Sequence, residues 1–178
     1  ELINSISKDN SENEKFSKID AEIALIGCIL WENKNYEKIA EFINEDYFVD
    51  EGNKIIFKTI KKLLDKNMLV SPVTLKNYLP EDDNKTDKIK YLNKIKDSAP
   101  STQNAYNYAK IIYDLHIKRN LVSIAHNIIQ ETSNNEENMD GENLIENAEN
   151  NLYLLSQTGN ADRKFVDFRT ALKNAVDI

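Results

Sequence analysis

The chain has 178 residues, enough for one ordinary domain or a small domain with an appendage, and folding at that length buries roughly 70% of the unfolded surface without staples. Only 4 glycines and 3 prolines leave few sharp turns, which argues against a sandwich or barrel, and the single cysteine, Cys28, excludes an internal disulfide framework or a multi-cysteine zinc site. Lys and Arg number 23 against 30 Asp and Glu, and the net charge of -7 disfavours a simple electrostatic nucleic-acid binder and leaves a solvated acidic surface as the plain reading.

Residues 1–17 are polar and lack the charged-then-apolar order of a signal peptide, so they read as a disordered lead. Ser17 is placed to cap a first helix over Lys18–Glu32, with Asp20 in its favourable first turn. That helix is apolar nearly all round (Ile23, Leu25, Ile26, Cys28, Ile29, Leu30), which belongs in the middle of a bundle. Its apolar run, Ile23–Trp31, is about half of the ~20 residues that a membrane-spanning helix needs. A reduced, intracellular compartment without membrane contact is the expectation. A short helix over Tyr36–Ile43 would offer Tyr36, Ile39, Ala40 and Ile43 as one stripe, and Asn53–Lys66 would turn Ile56, Ile60, Leu63 and Leu64 inward and its lysines outward.

Ser71-Pro72 is a helix start, since Ser71 can cap free amides and Pro72 loses nothing at the first helical position. The short helix stops at Pro80, a charged loop fills Glu81–Thr86, and Asp87–Lys96 presents Ile89, Leu92 and Ile95. From Ser101 a helical pattern continues without a breaker to about Thr132, roughly 45 Å at ~1.5 Å per residue and longer than a small bundle can cover. Its first half carries Ala105, Tyr108, Ala109, Ile112 and Leu115, and its second Leu121, Val122, Ile124, Ala125, Ile128 and Ile129. After a polar turn, Glu142–Ser156 carries Leu144, Ile145, Ala148, Leu152 and Leu155, and the two helices most simply form an antiparallel hairpin. A hairpin alone has apolar surface to spare, which a second copy or another protein would cover. Residues 158–164 read as a linker, and Phe165–Ile178 as a last helix that needs a groove to lie in. The expected architecture is all-α: a globular helical subdomain over 18–100, a projecting hairpin over 101–157, and a C-terminal linker helix over 165–178.

Catalytic signatures are lacking. Gly27, Gly52, Gly141 and Gly159 are the only glycines and none builds GxxxxGK[ST], which excludes that nucleotide loop. His116 and His126 lie ten apart, not at the three or four that metal ligands on one helix favour. Cys28 reads as a small core thiol, and no carboxylate pair is set apart for acid–base work. The only basic stretch, Lys85, Lys88, Lys90, Lys94 and Lys96, is interrupted by aspartates and reads as a solvated face. Tyr91 among them is either a partly buried core tyrosine or an exposed aromatic contact.

The order of short motifs says more. Asp20-Ala21-Glu22 followed by Leu25-Ile26-Gly27 resembles the opening of the amino-terminal domain of the bacterial replicative helicases, the DnaB family. The resemblance continues through Asp46-Tyr47-Phe48, Ile56-Phe57, Val70 with Val73-Thr74-Leu75, and Tyr91-Leu92. Pro100-Ser101 with Asn104, Tyr108-Ala109, Ile111-Ile112, Arg119 and Leu121 follow, then Ala148-Glu149, Leu152-Tyr153, and Phe168 with Ala171-Leu172. The chain departs from the family pattern at Asn53, where the family usually has His, at Ser71, where it has Asp, and at Ile23, where it has Gln. The charged loop around Asp82–Lys88 also lacks the glycine-rich character common there.

The resemblance implies a truncated chain, without the RecA-like ATPase domain that carries ATP, Mg and DNA in the family. No cofactor is expected in these residues themselves. It implies hairpins that pair, three dimers forming a collar on a six-membered ring, and primase as a partner, with a helicase loader in some bacteria. The fragment would be non-catalytic and belong to the cytoplasmic, nucleoid-associated replisome. Tyr91, Val122, Ile128 and Leu144 are the expected contacts for primase docking or collar packing. Phe168, Leu172 and Ala175 are the expected docking face of the linker helix on a neighbouring subunit. The rival readings are a free-standing helical adaptor, such as a primase carboxyl-terminal domain or a loader, and a helical DNA-binding domain, which the net charge disfavours.

Overall fold

A computed structural model describes residues 19–80, 87–99, 102–133 and 140–158. Among them the fold is helical, with no strand. Helix α1 covers 19–31, α2 Glu51–Leu64, α3 Pro72–Lys76, α4 Lys88–Asp97, α5 Ala105–Ser133 and α6 Gly141–Gln157. Contacts divide the chain into two compact units, Glu1–Leu115 and His116–Ile178. The expected cap at Ser17, the loop Glu81–Thr86, the cap at Ser101 and the linker helix with Phe168, Leu172 and Ala175 all lie outside the described residues.

The all-round apolar reading of α1 holds. Leu25, Ile26, Cys28 and Ile29 are fully buried, in one cluster with Phe57 and Ile60 of α2, Leu75 of α3, Leu92 and Ile95 of α4, and Ala109 and Ile112 of α5. Phe57 carries much of this core, stacked on Phe48 at 4.7 Å between ring centroids and tilted against Tyr36 at 6.2 Å. Full burial of one such side chain stabilises by about 1.5–3 kcal/mol relative to exposure. Phe42 and Tyr47 add edge and tilted ring contacts to Tyr106 and Tyr113 of α5.

The segment Tyr36–Ile43 departs from expectation: it forms successive turns, not a regular helix. Its backbone bonds alternate between three- and four-residue spacings, as in Ile39 N–H to Tyr36 O and Ala40 N–H to the same carbonyl. The register survives, so Tyr36, Ile39 and Ile43 are buried, while Ala40 is exposed. Two asparagines shape the exit from α1. The Asn35 side-chain amide donates to Cys28 O at 3.0 Å, and that of Asn33 to Ile29 O at 2.8 Å and Val70 O at 3.0 Å. The Asn33 amide takes Ile29 O, a carbonyl that a continuing helix would have bonded itself, whereas Cys28 O also keeps its helical bond from Glu32 N–H.

Local chemistry sets the other boundaries. Asp50 accepts from Asn53 N–H at 2.9 Å and caps α2; Ser71 and Thr74 form a reciprocal capping box at the start of α3, with Pro72 inside it. The end of α2 closes with Met68 N–H to Leu63 O and Asn67 N–H to Leu64 O, while Asn67 takes φ 57°. Those two bonds and a left-handed residue make a Schellman stop. Gly27 marks a close approach, since a Cβ there would lie 2.7 Å from Ile95 O and 2.9 Å from the Ala99 Cβ. One turn later Trp31 Nε1–H donates to Lys96 O, and the Lys96 ammonium lies 4.7 Å from the Trp31 ring centroid.

Candidate interaction surfaces

Of the two carboxylates in the apolar α1, Asp20 is exposed and Glu22 is buried, at 1% exposure. It accepts from Val49 N–H at 2.5 Å, Asp50 N–H at 3.3 Å and the Asn53 side-chain amide at 3.0 Å. Burial pushes its pKa above the ordinary carboxylate value despite these donors. The three donors bind it to the start of α2 and the residues just before it, so its chemistry is structural. Cys28 is likewise fully buried, and loss of solvation raises its thiol pKa, leaving it a poor nucleophile. Among the described residues no group of three or more His, Cys, Asp or Glu is arranged to hold a metal ion, and no helix is long and apolar enough to cross a membrane. The ring of His116 meets the Asn120 side-chain amide within its own helix.

What the protein does offer is surface. In the second unit no described side chain is buried. Val122 is 71% exposed, Ile129 63%, Ile145 61%, Tyr153 64% and Leu154 63%. Half-covered residues fall at helical spacing: Ile117, Ile124 and Glu131 on α5, and Leu144, Ala148 and Leu155 on α6. Each helix therefore shades one line of side chains and leaves apolar groups bare around it.

The expected contact residues separate accordingly. Val122, Ile128 and Leu144 lie in the second unit, with Val122 open, Ile128 36% exposed and Leu144 half-buried. Tyr91 belongs to α4 in the first unit and is 41% exposed; burial of its remainder raises the phenol pKa. So the four do not fall within one unit. The bare residues Ile129, Ile145, Tyr153 and Leu154 were not singled out in the sequence, although a second apolar stripe on each helix was the available signal.

A further feature escaped the sequence. A cavity of about 300 Å³ opens beside α2, walled by Ile55, Leu63, Tyr78 and Pro80 and edged by Lys58, Lys62 and Lys66. Neighbouring lysines are paired: Lys54 with Asp46 at 2.9 Å and Lys61 with Glu45 at 3.2 Å. Lys58, Lys62 and Lys66 make no ion pair among the described residues, although Glu45 and Asp65 line a second, more open depression together with these same lysines.

Comparison with known proteins gives one answer. The family described as the DnaB-like helicase N-terminal domain matches residues 14–114. The replicative DNA helicase DnaB of Rickettsia conorii is 29% identical over 178 residues, covering 96% of this chain and 36% of that protein. The DnaB of Rickettsia felis is 30% identical, over 84% of this chain and 31% of its own length. The chain thus spans about a third of the length of the curated relatives it matches. Among solved structures, the N-terminal domain of DnaB helicase from Mycobacterium tuberculosis superposes with a TM-score of 0.65 at 19% identity, over 76% of this chain and 95% of that one. A DnaB-like replicative helicase, whose structure was solved with its interactions with primase, gives 0.62 at 19% identity, over 84% of this chain and 34% of that one.

Proposed function

The chain belongs to the DnaB-like helicase N-terminal domain family, and from that premise we propose that it is the collar and linker region of a hexameric replicative helicase. In this reading it acts in ring assembly and recruits primase during DNA replication, and in some settings a helicase loader. The longer parent is a cytoplasmic, nucleoid-associated enzyme that unwinds DNA with ATP and Mg bound in its motor domain. The present residues supply no catalytic group. DNA is contacted mainly by the motor.

The observation that carries the reading is the second unit, in which apolar side chains stand open and, among the described residues, none is buried. Patches of that kind mark protein interaction sites. Support for primase as one partner comes from the similarity to a DnaB-like helicase studied with primase. Within this reading α5 and α6 form the pairing hairpin, Tyr91, Val122, Ile128 and Leu144 contact primase or the collar, and Phe168, Leu172 and Ala175 dock the linker helix on a neighbouring subunit.

The test is binding of the primase carboxyl-terminal domain to the chain by calorimetry, with solution mass measured in parallel. Alanine at Val122, Ile128, Leu144 and Tyr91 together is expected to lower primase affinity at least tenfold or to shift the solution mass towards that of the monomer. Unchanged values in both measurements would sink the surface assignment. Leu172→Asp in the full-length parent is expected to impair ring assembly, and an intact ring would remove the docking role.

A further inference from the structure

The lysine-edged cavity beside α2 is not used by the reading above, which places partners on the hairpin, on Tyr91 and on the linker helix. Lys58 and Lys62 lie four residues apart, so their stems rise from one face of α2 about 6 Å apart along its axis, and Lys66 follows in the turn after that helix. They carry three positive charges that make no ion pair among the described residues, in a chain of net charge -7. Beside them Ile55, Leu63 and Pro80 form an apolar wall, and Tyr78, 54% exposed, stands at its rim. The order of chemistry is therefore a narrow apolar slot with a row of cations along one edge.

We propose that this groove docks an acidic peptide segment of a protein partner, seating one apolar or aromatic side chain against Leu63 and Tyr78 and laying carboxylates along Lys58, Lys62 and Lys66. The volume, about 300 Å³, is at the small end of ligand sites and takes one or two side chains. A base-stacking track along a nucleic acid would need more room and repeated aromatic platforms. Charge also separates the two occupants. A long polyanion meets the field of the whole acidic chain, whereas a short acidic segment meets mainly the lysine row within a Debye length of ~8–10 Å. Charge complementarity of this local kind directs orientation and speeds encounter.

The probe is a fluorescein-labelled peptide of glutamates and aspartates around one central phenylalanine, titrated with the whole 178-residue chain at low salt and followed by anisotropy. Saturable binding is expected. The double variant Lys58→Glu/Lys62→Glu should weaken it about tenfold or more, and Tyr78→Ala several-fold, as should replacing the peptide's phenylalanine by glycine. Lys110→Glu, an exposed charge reversal on α5, should change it by less than about twofold. All four positions are solvent-facing, and circular dichroism confirms that each variant folds. The inference fails if binding is not saturable, or if Lys110→Glu weakens it as much as the double variant. It also fails if Tyr78→Ala has no effect, which marks diffuse electrostatics, or if oligothymidylate displaces the probe as well as unlabelled peptide does.

Discussion

Between residues 19 and 115, helices bury whole faces: Leu25, Ile26, Phe57, Ile60, Leu75 and Leu92 are all closed to solvent. Between residues 116 and 158, helices of comparable apolar content bury nothing completely, and Val122 and Leu154 are more open than many polar groups. Helical spacing specifies which side chains share a face, but not what covers that face. In the first unit several elements converge on α1, so each apolar stripe finds an opposing one. The second unit, among the described residues, has the C-terminal part of α5 and α6 alone. Its surplus stripes are what the proposed partner in trans would cover.

The strongest way to break this contrast is a matched pair of truncations. Phe57→Ala, in the core, is expected to cost about 3–5 kcal/mol in urea unfolding. Leu154→Ala, in the second unit, should stay within about 0.5 kcal/mol of wild type under conditions that keep the chain monomeric. Similar losses for both would mean that the second unit has a core of its own. Next in size is Gly27→Ala, whose Cβ must push against Ile95 O and Ala99. Such overpacking is expected to cost about 1–3 kcal/mol and lower the midpoint for the first unit.

A third prediction uses pH. The Glu22 pKa is raised by burial, so the folded state holds this proton more tightly than the unfolded state does. Its protonation therefore favours folding fully below the ordinary carboxylate pKa, and that contribution is lost as pH rises through the raised value. Glu22→Gln has no such dependence, so the stability advantage of wild type over the variant should shrink across that window, measured by urea unfolding at a series of pH values. A widening gap would show that hydrogen bonding to the carboxylate outweighs its burial. The smallest effect is at Asn67, whose φ of 57° suits glycine: Asn67→Gly should change stability by no more than about 0.5 kcal/mol, whereas Asn67→Ala should cost about 1 kcal/mol.

Much of the fold was legible in the sequence because caps and periodicity are local. The starts of α3 at Ser71-Pro72 and of α4 after Asp87, where that side chain accepts from Lys90 N–H, fall where the residues place them. The turns over Tyr36–Ile43 were not legible as such, because their cause is distant: Asn33 reaches a backbone 37 residues away at Val70. Glu22 was visible only as part of the Asp20-Ala21-Glu22 motif, and its partners Val49, Asp50 and Asn53 come from a distant stretch of the chain. The lysine groove was hidden for the same reason. Its cations are on α2 and the turn after it, but Tyr78 and Pro80 that wall it lie beyond α3, and the sequence drew attention to the lysines of α4 instead.

The clamp at Asn33 has one more consequence. Met68-Leu69-Val70 is a non-helical apolar stretch between α2 and α3, and Leu69 is 81% exposed. Exposed backbone of this kind is where a foreign strand can add on. Here the N–H groups of Met68, Val70 and Ser71 are already taken. Met68 N–H is taken by Leu63 O, Val70 gives its N–H to Asn33 Oδ1 at 2.8 Å and its carbonyl to the Asn33 amide, Ser71 N–H is taken by the Thr74 hydroxyl, and Pro72 has no N–H to offer. A single asparagine side chain thus acts as the neighbouring strand would, and it guards the apolar stretch against recruitment into a sheet.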